Sequence, residues 1–370
     1  MINLRSIFEK LTRFIQFCQI SPNPSLLKRG ISSIVNFKKN VLQKQSLSSA
    51  QIANYLRSSP LFSKEGLGEI WQKLKRSSIL IIQAIIFSIF FANTLSAGEP
   101  QRSLATLDWT VAETLIALDE QPKAVGDAKN YKVWVSEPKL PENTLDLGIR
   151  LQPNPEQLWQ LSTQLDAQPL LFINSSFYAS ATPMLEKFGK VHLVDFYKEG
   201  DAWQNVIDAT KQIADIIGKP EQADRLLNQY LQKIAEIRPL VQPFTDRPVL
   251  LVQFIDTRHL RVYAENSPFG AVLSQLGFKN GWQGNHNNWG FEIIDVTQLA
   301  KLPPESRFVV VKPYPSNIGS ALKYNTLWQK LAMAKDPLIL PEVWTFGAIP
   351  SAQRFAEVLA NGLIHGGEQW

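Results

Sequence analysis

Arg150 is the residue of this chain best placed to touch a ligand. It follows Leu145-Asp146-Leu147-Gly148-Ile149, which reads as a short buried strand, and it precedes Pro153-Asn154-Pro155-Glu156, which reads as the opening of the next helix. An arginine at the carboxyl end of a strand in an α/β sheet points into the crevice where such sheets bind ligands. Aromatic side chains supply the rest of the chemistry. Of the 10 tryptophans, Trp134, Trp282, Trp289 and Trp344 stand in loop-like stretches rich in Gly, Pro or Asn, whereas Trp159, Trp203 and Trp328 fall at apolar helical spacing and are assigned to cores. Four loop tryptophans, one arginine and Tyr178 describe an aromatic-walled cleft. Such a cleft suits a bulky, weakly charged organic ligand, held by stacking and a few oriented hydrogen bonds.

Catalytic signatures do not occur. The sequence has no glycine-rich phosphate loop, no dinucleotide fingerprint and no nucleophile elbow. Its four histidines, His192, His259, His286 and His365, are not spaced as ligand pairs, and His259 reads as a structural residue at a strand end. Cys18 is the only cysteine, so the rest of the chain has no disulfide and no thiolate metal site. The expectation is a binding protein rather than an enzyme, with no resident cofactor or metal.

The elements that would carry these residues alternate. Apolar runs at Ser103–Leu107, Ala124–Gly126, Leu145–Ile149, Pro169–Ile173 and Lys190–Phe196 read as strands. Helical periods fall between them at Thr110–Leu118, Glu156–Leu165 and Ala181–Phe188. Two long helical stretches follow, Ala202–Ile217 and Glu221–Val241. The second keeps Leu226, Leu227, Tyr230, Ile234 and Ile237 on one stripe, as a rigid connector would. After Thr245-Asp246-Arg247-Pro248 the series restarts with strands at Val249–Ile255, Arg261–Ala264, Phe291–Val296 and Phe308–Val311 and helices at Phe269–Leu276 and Ser351–Ile364. The expected fold is therefore α/β, with two similar lobes of mostly parallel strands at residues 101–219 and 243–370 joined by a connector helix at 220–242.

The net charge of +5 hides a division. Residues 1–76 hold 13 of the 38 Lys+Arg and 3 of the 33 Asp+Glu, leaving 25 against 30 for residues 77–370. The body is acidic, which argues against nucleic acid as a partner. The basic leader, residues 1–76, runs into the apolar segment Ile79–Ala92 through Lys73-Leu74-Lys75-Arg76, and small and polar residues follow through Gly98. Residues 77–98 thus read as an export signal with cleavage near Ala97, since the apolar core is shorter than the ~20 residues of a comfortable membrane span. An uncleaved anchor, leaving residues 1–76 cytoplasmic, is the competing reading.

From about Leu107 to Gly362 the chain resembles the periplasmic ferric-hydroxamate (ferrichrome-type) siderophore-binding proteins, the solute receptors of ABC importers. The resemblance is carried by Asp108-Trp109-Thr110 with Glu113-Thr114-Leu115, by Tyr131-Lys132-Val133-Trp134 with Glu137-Pro138-Lys139-Leu140-Pro141, and by Gly148-Ile149-Arg150 with Pro153-Asn154. Asp256-Thr257-Arg258-His259, Trp282-Gln283-Gly284 with Asn288-Trp289-Gly290, and Pro341-Glu342-Val343-Trp344 with Gly347-Ala348 continue it in order. It implies two α/β lobes joined by a long helix and a monomeric periplasmic receptor for an Fe(III)-hydroxamate siderophore, with an ABC permease and its ATPase as partners. Arg150, Tyr178, Trp134, Trp289 and Trp344 would hold the ligand. Phe346 stands where the ferrichrome binder has a tyrosine, which removes one donor from the expected cleft. The family docks on its permease through one surface glutamate per lobe; the matching positions are Pro183 and Ala271, with Glu186 and Glu265 nearby. Receptors for another iron chelate or a corrinoid, and a membrane-anchored siderophore sensor, are the alternatives.

Overall fold

A computed structural model of the chain describes residues 103–164 and 170–370. The leader and the signal-like segment, residues 1–98, lie outside the described residues. Two five-stranded sheets organise the rest. The first is built from β1 (Ser103–Thr106), β2 (Ala124–Val125), β3 (Leu145–Asp146), β4 (Leu170–Asn174) and β5 (Gly189–Leu193) in the order β3-β2-β1-β4-β5. Every pairing in it is parallel. Its strands are connected through α1 (Trp109–Ala117), α2 (Ala128–Trp134), α3 (Pro155–Gln164) and the single turn α4 (Thr182–Leu185).

The second sheet differs from the first, contrary to the expectation of two similar halves. Strands β6 (Val249–Phe254), β7 (His259–Tyr263), β8 (Phe291–Asp295), β9 (Arg307–Lys312) and β10 (Leu338–Glu342) run in the order β10-β9-β6-β7-β8. β10, β9 and β6 are parallel, but β7 and β8 pair antiparallel. A tight turn causes the reversal: the Asp256 carboxylate accepts from the backbone N–H of Arg258 at 2.7 Å and of His259 at 2.8 Å, folding β7 back on β6. Helices α7 (Pro268–Leu276), α8 (Ile318–Lys323) and α9 (Ile349–His365) complete this lobe. β10, α2 and α8 have no counterpart in the sequence reading.

Between the sheets run α5 (Ala202–Ile216) and α6 (Pro220–Val241), the latter burying Ala223, Leu226, Tyr230, Ile234, Ile237 and Val241. One apolar core continues through this junction. It contains Leu104, Leu171 and Ile173 of the first sheet, Ile213 and Tyr230 of the connecting helices, and Val249, Leu251 and Val309 of the second sheet. Among the described residues no helix is long and apolar enough to cross a membrane.

The strand before Arg150 ends at Asp146, because the Asp146 carboxylate accepts from the N–H of Gly148 at 2.9 Å and Gly148 adopts φ 76°. Ile149 is 70% exposed rather than buried in a strand. In place of one helix over Ala181–Phe188, a 3-10 turn at Ser176–Ala181 runs into the short α4, Thr182–Leu185. Trp159, assigned to the core, is 65% exposed, since α3 buries Leu158 and Leu161 and the next position turns outward. Trp134 ends a helix rather than lying in a loop.

Candidate functional site

Open α/β sheets bind ligands beyond the carboxyl ends of their parallel strands. Here those ends carry Asp108 and Trp109 after β1, Arg150 after β3, Tyr178 after β4 and Trp344 with Phe346 after β10. At the switch point between β1 and β4, the Ser175 hydroxyl donates to the Asp108 carboxylate at 2.5 Å. Asp108 also caps α1, accepting from the Thr110 N–H at 2.9 Å. This fixes Trp109, whose indole N–H donates to the Gly126 carbonyl at 2.8 Å and whose face is turned to Arg150.

The Arg150 guanidinium carbon lies 3.7 Å from the Trp109 ring centroid, a close cation–π contact, and 5.8 Å from that of Trp344. Its Nη1 donates to the Tyr178 hydroxyl at 2.9 Å. Burial, with the nearby Asp108 carboxylate, raises the Tyr178 phenol well above its ordinary range. Tyr178 therefore keeps its proton. Its oxygen accepts from Arg150, and its own O–H has no acceptor among the described residues, so both remain aimed donors.

From Tyr178 the aromatic contacts close a circuit across both lobes. Tyr178 meets Phe177 edge-on at 5.2 Å, and Phe177 meets Trp289 of the second lobe at 6.3 Å. Trp289 stacks on Phe291 at 6.3 Å, Phe291 meets Phe346 at 5.8 Å, and Phe346 meets Trp344 at 5.1 Å, which returns to Arg150. Trp134 stands outside the circuit, edge-on to Trp344 at 6.4 Å. Six of the seven residues singled out from the sequence thus come together: Trp134, Arg150, Tyr178, Trp289, Trp344 and Phe346. Trp282 does not join them. Its indole N–H donates to the Asn285 carbonyl at 2.9 Å, and its ring rests on the opposite core of the second lobe.

The loop carrying Trp344 and Phe346 is fastened to α1. The Thr110 hydroxyl donates to the Phe346 carbonyl at 2.6 Å and accepts from the Trp344 indole at 3.0 Å, and the Tyr197 hydroxyl donates to the same carbonyl. One turn further along α1, fully buried Glu113 accepts from the Ala348 N–H at 2.5 Å and pairs with the Ser351 hydroxyl. Burial pushes the Glu113 carboxyl up to about 8.

Four residues in or beside the circuit are not marked by loop tryptophans in the sequence. Trp109 and Phe177 lie beside residues already of interest, in Asp108-Trp109-Thr110 and next to Tyr178. Phe291 and Arg261 come from β8 and β7, where strand alternation alone cannot say which face meets the cleft. Arg261 lies 5.3 Å from the Phe346 ring and 5.4 Å from the Phe291 ring, so the cleft has a second arginine where one was expected. Among the described residues, no three His, Cys, Asp or Glu side chains gather as a metal site.

Two α/β lobes sharing one core, with aromatic and cationic side chains converging at the strand ends between them, define a two-lobed solute-binding protein. The chain belongs to the periplasmic binding protein family, whose model matches residues 104–335. It is similar to the iron(3+)-hydroxamate-binding protein FhuD of Escherichia coli (strain K12), with 31% identity over 297 residues, covering 78% of this chain and 97% of that protein. A putative ABC transporter substrate-binding lipoprotein of Bacillus subtilis (strain 168), YhfQ, is 20% identical over 250 residues, covering 64% of this chain and 75% of its own. Among solved structures, the Fe3+-Desferal-bound siderophore-binding protein FhuD of Vibrio cholerae shares the fold with a TM-score of 0.65 at 20% identity, covering 72% of this chain and 99% of that one.

Proposed function

We propose that this chain is a periplasmic receptor that captures an Fe(III)-hydroxamate siderophore between its lobes and delivers it to an ABC permease. The observation that carries the reading is the pairing of Arg150 with Tyr178 inside an aromatic circuit drawn from both lobes. Likeness to FhuD of Escherichia coli supports the ligand class, and likeness to YhfQ supports the transporter partner.

The chemistry agrees with this assignment. Three bidentate hydroxamates fill the octahedral shell of Fe(III), so the receptor supplies no metal ligand and recognises the outside of the complex. Arg150 presents a planar fork of donors to hydroxamate oxygens that bear partial negative charge, and Tyr178 adds a neutral donor beside it. Trp134, Trp289, Trp344 and Phe346 cover the carbon skeleton. No step of bond making or breaking is required of the protein, and it acts as a carrier rather than a catalyst. Residues 101–219 and 243–370 act as the lobes and 220–242 as their connector, while residues 77–98 direct export. Glu186, exposed after α4, and Glu265, exposed after β7, offer one carboxylate per lobe for docking on the permease.

Equilibrium dialysis of residues 99–370 against radio-iron-labelled ferrichrome tests the assignment. Saturable retention of one ferrichrome per protein is expected, and no retention of ferrichrome or of a linear ferric trishydroxamate would contradict it.

A further inference from the structure

Among the described residues Arg261 has no partner charge. It stands on β7 on the face shared with Tyr263 and, across the antiparallel pair, with Phe291, and its guanidinium lies against the rings of Phe291 and Phe346. Its Nη1 donates to the side-chain carbonyl of Gln253 at 3.1 Å. Gln253 is itself fixed: it is buried, its amide donates to the Pro313 carbonyl at 3.1 Å, and its oxygen also accepts from Thr345 at 3.1 Å. The fork is thus held by a neutral residue that is held in turn. Its Nε is buried without an acceptor, Nη2 has none among the described residues, and no carboxylate of the described residues lies within 4.0 Å.

An arginine with neutral and aromatic neighbours alone, in a cleft that already holds Arg150, retains a charge that a ligand can satisfy. Three hydroxamates, one negative charge each, already neutralise Fe(III), and such a complex offers Arg261 no net charge to pair with. A chelate that replaces a hydroxamate with a carboxylate–alkoxide pair, or carries free carboxylates, does.

We infer that Arg261 is a specificity residue of the cleft, a second fixed cation that favours anionic ferric complexes containing carboxylate as well as hydroxamate groups over neutral trishydroxamates. This rests on the assignment of the cleft to ferric hydroxamates and narrows it. Its Phe291 and Phe346 platform keeps the fork at the aromatic wall, so an anion there is met by charge-assisted hydrogen bonds while the skeleton stacks beside it.

Calorimetric titration of the wild type, Arg261→Gln and Arg261→Lys with ferrichrome and with ferric aerobactin, an anionic dihydroxamate built on citrate, tests the inference. Wild type should bind ferric aerobactin more tightly than ferrichrome, and Arg261→Gln should lower the ratio of the two affinities by about tenfold or more. Arg261→Lys should keep more of that ratio than Arg261→Gln, because it keeps the charge and loses only the fork. If circular dichroism shows Arg261→Gln unfolded, Arg261→Met, whose stem preserves the contact with Phe291 and Phe346, takes its place. A ratio unchanged by removal of the charge, with ferrichrome still bound, would overturn the role of Arg261 and leave the ferric-hydroxamate assignment standing. Wild type that binds neither complex would overturn that assignment itself.

Discussion

Arg150 is held from two sides, by the Trp109 face at 3.7 Å and by the Tyr178 hydroxyl at 2.9 Å, and is thereby aimed before any ligand arrives. Pre-aimed donors cost little ordering on binding, so Arg150 should matter more than an ordinary surface arginine. Arg150→Ala should weaken ferric-hydroxamate binding about ten- to a hundredfold, the value of roughly 1.5–3 kcal/mol for a hydrogen bond to a charged group. Arg150→Lys should recover only part, having lost the fork and the flat stacking on Trp109. Calorimetry on the folded variants reads both, and an unchanged dissociation constant in Arg150→Ala would remove this residue from the site. Arg150 and Tyr178 are legible in the sequence because a charge and a phenol at strand ends have few other uses. Arg261 is not, because in His259-Leu260-Arg261-Val262-Tyr263 the alternation marks two faces without saying which one meets the cleft. Trp159 misleads for a related reason: beside Leu158 on a helix it fits an apolar stripe in text, yet it lies about 100° round the cylinder.

The decisive element is α1, whose first turns fasten the loop after β10 to the first lobe. Its Glu113 is buried with Asp108 nearby, and burial is the larger cause of a carboxyl raised to about 8 from an ordinary 4.5. At neutral pH Glu113 is therefore mostly protonated. The Ser351 hydroxyl donates to its Oε2 while Oε1 accepts from the Ala348 N–H. Between about pH 4.5 and 8 the folded protein keeps a proton that the unfolded chain has released. The stability this group contributes is thus whole below 4.5, declines as pH rises through the window, and is lost above about 8. The slope is at most ~1.4 kcal/mol per pH unit. Glu113→Gln, which cannot ionise and keeps a carbonyl oxygen to accept from Ala348, should flatten it. Urea denaturation of both proteins from pH 5 to 9 checks this, and an identical slope in the variant would assign the dependence to other groups. Elements of this kind were readable where a long period or an alternating run fixed them, as for α5, α6 and β6. Short ones were not: α2 is seven residues, and β10 ends at Pro341-Glu342, whose proline reads as a break.

Across the molecule, both sheets and the two connecting helices draw on one core, so the lobes that face the cleft are parts of a single packed body rather than two units on a flexible tether. That explains how the aromatic circuit can draw Tyr178 and Phe177 from one lobe and Trp289, Phe291, Phe346 and Trp344 from the other with ring separations of 5.1–6.3 Å. The two-lobed α/β plan was legible from the restart of the strand series after Pro248. The antiparallel reversal at β7 was not, because it turns on hydrogen bonds accepted by a single carboxylate, Asp256. A ferric complex bound within this circuit, as proposed, lies in reach of Trp109, Trp134, Trp289 and Trp344. Tryptophan fluorescence tests it directly, since Fe(III) quenches nearby indoles and the gallium(III) complex of the same siderophore has the same shape without the quenching. Titration of residues 99–370 with ferrichrome should give deep, saturable quenching that gallium-loaded ferrichrome competes away while quenching little itself. Binding detected by dialysis with no fluorescence change for the ferric complex would place the ligand elsewhere and contradict the account.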